Sequence, residues 1–249
     1  FMFTISDAIC ASPLLPALIQ CLENTVVDDD KDTAGRVLLC AKVIGAYSVD
    51  AKTSWIPLLV ESITADGMKT GDPRRAASLV ILASFIRGAS QHTMDKQSTA
   101  TLAKALAHQN VLTCDHAGVR AQTLAACVNL IKVSAKSLAL LDETNVVGAV
   151  SHESKASASA NLFRVLLQSR AHESPGSDGD GTGHGAISHQ QNTAPGALPP
   201  KHVSPSARAM TALATACGFG SVDELYAKHA RAGTYCIYEI QAHCLPIQD

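Results

Sequence analysis

Apolar residues recur along this chain at helical spacing, in short blocks that Pro, Gly or an acidic turn cuts apart. Pro13 and Pro16 open a stretch through residue 22, and the acidic segment 28–32 leads into a helix expected over 33–47. Residues 50–64 form the next helix, interrupted near its start by Pro57, and 66–71 read as a turn. Asp72-Pro73 resembles an N-cap followed by proline at the first helical position, which satisfies the open N–H groups of a helix start. That helix should run to Arg87 and stop at Gly88. Further helices are expected over 99–108, 115–133, 136–141 and 155–170, then over 204–217 and 221–232. An apolar segment over 234–245, holding Tyr235 and Tyr238, closes the chain. Strand alternation is weak throughout. The pattern is all-α, built from pairs of short helices.

Three of the longer helices share a register. Arg36, Arg75 and Arg120 stand near their starts, 39 and 45 residues apart. Four residues on come Cys40, Leu79 and Leu124; seven on, Val43, Leu82 and Cys127; eight on, Ile44, Ala83 and Val128. Eleven on are Tyr47, Ile86 and Ile131. A shorter apolar helix precedes each one, over 14–22, 56–63 and 102–107. Arg208 begins a fourth long helix, with Leu213 and Ala216 on its inner face and 160–168 as its partner. A helix pair of this kind has an apolar face that it cannot hide alone, and stacking supplies the cover. The expected architecture is a right-handed superhelical solenoid of antiparallel helix pairs.

Composition fits close stacking. Hydrophobic residues make up 47% of the 249, yet aromatics only 4%, so small aliphatic side chains must fill the core. Such a chain poorly supplies aromatic-lined pockets or single-strand stacking platforms. A formal net charge of -2 excludes a strongly basic domain that neutralises phosphates broadly. Nucleic acid is therefore not an expected partner. The longest membrane candidate, 79–86, has eight residues and contains Ser84, where a span needs about 20. The expectation is a soluble, cytoplasmic protein without membrane insertion. Its opening Phe1-Met2-Phe3 suggests a piece of something longer.

Residues 172–204 break the helical rhythm, with six of the 16 Gly, four of the 10 Pro and no Phe, Tyr or Trp. That composition buries too little surface to offset ordering entropy, and a flexible insertion is expected there. The domain reading is helical repeats over 1–171, the insertion over 172–204 and a continuation of the repeats over 205–249.

The chain carries no recognisable catalytic or metal signature, and no cofactor is expected. The eight cysteines, Cys10, Cys21, Cys40, Cys114, Cys127, Cys217, Cys236 and Cys244, form no Cys-x-x-Cys pair and read as buried free thiols. Cys114-x-His116 and His243-Cys244 lack the second ligand pair of a structural zinc site. No Gly-x-Ser-x-Gly elbow or phosphate loop is present, and the Gly/Asp run near 176–185 lacks the final Glu of a calcium loop. The acidic cluster Asp28, Asp29, Asp30 and Asp32 reads as a solvated connection, with contact to a basic partner as the alternative. Trp55 reads as inter-helix packing, with an exposed interface anchor as the alternative. An all-α enzyme would need Asp115, His116 and Glu153 to converge in an enclosed cleft.

The segments "DPRRAASLVILASFIRG" at 72–88 and "DHAGVRAQTLAACVNLI" at 115–131 resemble the second helix of HEAT repeats. The resemblance covers Asp72 with Arg75, and Asp115 with Val119 and Arg120; Gly35 and Leu39 blur it around Arg36. It implies structural roles: the Asp orders the turn and the Arg reaches toward the neighbouring repeat. Within HEAT proteins, "RVLLCAKVIGAY", "IPLLVESI" and "SLVILASFIRGA" are faintly similar to the HEAT-repeat dynein axonemal assembly factors. That likeness implies a non-enzymatic scaffold in the cytoplasm, preassembling dynein arms for cilia and flagella. Its partners would be dynein chains and cytosolic chaperones. The contact surface would be the ridge of second helices and inter-repeat loops such as 26–31 and 66–70. Importin-like receptors and phosphatase or kinase-assembly adaptors share this helical grammar.

Overall fold

The computed structural model describes residues 14–28, 30–47, 51–66, 72–89, 94–143, 158–173 and 204–229. In chain order the helices are α1 (Leu14–Asp28), α2 (Lys31–Tyr47), α3 (Ala51–Thr64), α4 (Pro73–Gly88), α5 (Lys96–Leu106) and the single turn α6 (Gln109–Leu112). They continue as α7 (Ala117–Val133), α8 (Ala135–Glu143), α9 (Ala158–His172) and α10 (Pro205–Ala216), followed by a helical stretch, α11, over 222–229. No strand occurs among the described residues.

Each pair closes as the periodicity requires: α1 on α2, α3 on α4, α5 on α7 and α9 on α10. First helices then pack in series from α3 to α5 to α9, and second helices from α2 to α4 to α7 to α10. The result is a two-layer HEAT/armadillo-like stack of antiparallel helix pairs, with the core between the layers.

Local chemistry sets most helix starts. Asp72 accepts from the Arg74 amide at 2.9 Å and Pro73 takes the first helical position, as the sequence predicts. Asp95 accepts from the Ser98 amide at 2.7 Å, so α5 begins three residues before the expected 99. Asp30 accepts from the Thr33 amide at 3.0 Å and starts α2 early in the same way. Both early turns are polar and carry no apolar period, which is why the pattern passes over them. Ser204 caps α10 through the Ala207 amide, again with proline behind it. Helix α3 runs through Pro57, whose exposed ring sits on the outer side.

Packing follows from the small residues. Trp55 is fully buried against Phe85, ring centroids 5.9 Å apart, and so is a core residue and not a surface anchor. Two glycines set the spacing of α2 and α4. A Cβ on Gly45 would lie 2.1 Å from the Phe85 carbonyl oxygen, and one on Gly88 would lie 1.9 Å from that of Lys42. Backbone thus meets backbone at both ends of this crossing.

The three-fold register holds in α4 and α7 but not in α2. Leu79, Leu82 and Ile86 are buried, as are Cys127 and Ile131. In α2 the buried face is Val37, Ala41 and Ile44, while Val43 is 38% exposed and Leu39 is 61% exposed. The cause is position in the stack. Among the described helices α4 is covered by α2 on one side and α7 on the other, whereas α2 packs chiefly on α1 and α4.

Candidate functional site

Successive pairs are stitched by polar side chains that reach across. Arg75 is 3% exposed, and its guanidinium donates to the carbonyls of Ile63 at 3.0 Å, Ala65 at 3.0 Å and Asn110 at 3.3 Å. It closes the end of α3 and ties pair two to pair three. Asn110 answers by donating to Thr64 O at 3.2 Å and to Asp66 Oδ1 at 2.9 Å. Asn129 donates to Ala83 O at 3.0 Å, joining α7 to α4. Ser78, at the small position after Arg75, shares a buried 2.7 Å hydrogen bond with Ser62.

Arg120 behaves differently from Arg75. It donates to the Asp115 carbonyl at the head of its own helix. Asp115 is exposed and does not cap α7; His116 occupies the cap position and makes no side-chain cap bond. Arg120 still acts on the next pair through its charge. Burial first, and the Arg120 guanidinium second, hold His172 at the end of α9 below the ordinary imidazole range, against an opposing pull from Asp115.

Of the acidic loop, Asp30 is described: it is exposed, and bonds from the Thr33 hydroxyl and amide hold its carboxyl below the usual range. It is a helix cap within a solvated connection. Residues 67–71 lie outside the described residues, but Asp66 is exposed at the edge of that loop. Asp115 and His116 are adjacent on an exposed turn and not in a cleft; Glu153 lies outside the described residues. So do Cys10, Cys236, Cys244, His243, Tyr235, Tyr238, 174–203 and the opening Phe1-Met2-Phe3.

None of the described cysteines is in a disulfide. Cys114 and Cys127 are buried, and Cys21, Cys40 and Cys217 are half-buried. Burial raises the Cys40 thiol and pushes the Cys127 thiol far above its ordinary value, so neither offers a thiolate. Among the described residues no group of three or more His, Cys, Asp or Glu is placed to hold a metal ion, and no helix is long and apolar enough to cross a membrane.

What the stack does expose is charge of one sign on its second helices. Helices α4, α7 and α10 carry Arg or Lys and no Asp or Glu, and α2 carries Lys31, Arg36 and Lys42 against Asp32. Arg36, Lys42, Arg74, Arg87, Lys132 and Arg208 are all exposed. In the linear sequence these cations look scattered; stacking collects them into one layer. Of the acids among the described residues, only Asp32 stands on these four helices, so a net charge of -2 is compatible with a basic second-helix layer.

A family model described as "Dynein axonemal assembly factor 5, HEAT-repeat domain" matches residues 10–147, which takes in α1 to α8. No curated protein and no solved structure matches the chain.

Proposed function

Since the chain belongs to the HEAT-repeat domain family of dynein axonemal assembly factor 5, we propose that it is a non-enzymatic, protein-binding assembly factor for axonemal dynein arms. The single observation that carries this reading is the family match across the stacked pairs. A solenoid offers its partner a long row of modest contacts whose sum gives affinity, and it requires no enclosed pocket. The described surface is suited to such binding. Exposed cations line the second helices, and among the described residues no group of three or more His, Cys, Asp or Glu is placed to hold a metal ion.

In this role the chain works in the cytoplasm of ciliated or flagellated cells. It holds dynein heavy or intermediate chains while cytosolic chaperones complete their folding, and the assembled arm then leaves for the axoneme. The basic second-helix layer steers acidic partner surfaces toward the stack, and the salt-screened part of the attraction lets them go again.

The test is co-precipitation of the tagged full chain from cytosol of cells growing cilia, with dynein heavy and intermediate chains quantified. Enrichment of those chains together with cytosolic chaperones is the expected result. A partner set made only of nuclear-transport cargoes, or only of phosphatase or kinase subunits, would contradict it.

A further inference from the structure

Helix α8 stands outside the regular pairing, and its placement leaves a furrow. At the end of α7, the Thr99 hydroxyl donates to Ser134 Oγ at 3.1 Å, and Ser137 Oγ donates to the Met94 carbonyl at 3.0 Å. These bonds and the fully buried Leu138 hold α8 across the start of α5. From there it packs beside α10. The open groove between them measures about 660 Å³. Its floor is aliphatic, from Ile131, Ala135, Ala139, Ala212 and Ala216. Its polar rim is Lys132, Lys136 and Arg208, with the Thr211 and Thr215 hydroxyls, and the lining contains no carboxylate.

Resting on the scaffold reading above, we propose that this groove binds an acidic peptide segment of a partner protein, with carboxylates on the rim cations and small aliphatic side chains on the floor. The charge complementarity is one-sided: all three ionisable groups of the lining are cations, and all three are exposed. The dimensions agree. The α10 wall from Arg208 to Ala216 is about 12 Å long at the helical rise. That length matches about four residues of extended chain. Alanines on both walls leave room for a backbone to lie close. The floor also argues against a nucleic-acid strand, because no aromatic ring lines the groove on which a base could stack. Thr211 and Thr215 already donate to carbonyls of their own helix, at 3.2 Å and 3.0 Å, so their oxygens remain as acceptors for peptide N–H groups.

The measurement is fluorescence anisotropy with the purified full chain and a labelled twelve-residue peptide (about three times the span of the groove) of alternating Glu and Ala. Its Gln-for-Glu counterpart and a poly-uridine oligonucleotide of equal charge serve as comparison ligands. Saturable binding of the Glu peptide is expected, at least tenfold tighter than the Gln peptide and weakening with salt. The double variant Lys136→Glu/Arg208→Glu should weaken it by at least about tenfold. The variant Lys104→Glu, exposed on α5 and outside both the groove and the second-helix layer, should leave it within about twofold. Helical circular dichroism checks that each variant folds, and Lys136→Arg, which keeps the charge, should bind as the parent does. Equal losses in Lys104→Glu, tighter binding of the oligonucleotide, or a groove filled by self-association would each overturn the proposal. If the Glu peptide fails to bind while dynein chains still co-precipitate, the groove is wrong and the scaffold reading stands. If the dynein chains fail to co-precipitate while the Glu peptide binds as expected, the reverse holds.

Discussion

Arg75 is the residue on which two helix pairs depend together. Its guanidinium is buried and satisfied by three carbonyls from two different pairs, with no carboxylate among those partners. Replacing it by Met keeps much of the volume but removes the donor to all three carbonyls, of which that of Ala65 retains another bond, from the Asn110 side chain. Each buried group left unpaired costs about 1–3 kcal/mol. Arg75→Met is therefore expected to lower unfolding stability by about 2–4 kcal/mol in urea denaturation. Its exposed neighbour Arg74 should tolerate Ala within about 0.5 kcal/mol. The Asp-plus-Arg signature is readable in the sequence at 72–75 because cap and stitch both lie in one helical turn. The same letters at 115–120 lead to a different outcome. There the helix begins at Ala117, Asp115 stays in solvent, and Arg120 turns back on its own backbone.

At the scale of helices, the stack rests on close crossings and on joints between pairs. Gly45 and Gly88 admit backbone carbonyls where no side chain fits. Gly45→Ala or Gly88→Ala must push α2 and α4 apart, at an expected cost of about 1–3 kcal/mol each, measured as a fall in thermal midpoint. In the sequence Gly88 reads as a stop signal, and Gly45 lies unremarked inside a helix expected over 33–47. Their packing role depends on residues about forty positions away, which no local window contains.

The joint of α9 and α10 is made by Glu173. It accepts from the Ser206 amide at 3.1 Å and from the Ser206 hydroxyl, clasping the end of one helix to the start of the other. Burial alone would raise its carboxyl, but the Ser204 and Ser206 hydroxyls and the Ser206 amide outweigh it and hold it below the ordinary range. With the folded value below the unfolded one, this stabilisation is complete above the ordinary carboxylate range. It is lost as pH falls through the folded value. Glu173→Gln should lower stability by about 1 kcal/mol at neutral pH. Paired denaturation curves should show that difference shrinking as the pH is taken into the acid range.

For the molecule as a whole, helix count and pairing follow from periodicity because each pair needs a neighbour to cover its apolar side. The periodicity could not say which face α2 would bury, since that depends on what stands beside it. Hence Val43 faces outward at a position where the repeat pattern put core, and Leu39 lies on the same exposed side. The basic layer was hidden for a related reason. Lys132 and Lys136 are near neighbours in sequence, but Arg208 is remote and joins them only when α10 comes against α7 and α8. The short turn α6 and the displaced α8 likewise answer to their neighbours more than to their own sequence.

The central claim is that this stack binds its partners along its second helices. Hydrogen exchange of the full chain, with and without a dynein intermediate chain, tests it most directly. Slowed exchange concentrated in α2, α4, α7 and α10, with α3 and α5 little changed, is the expected result. Protection confined to the first-helix layer, or none at saturating partner, would contradict it.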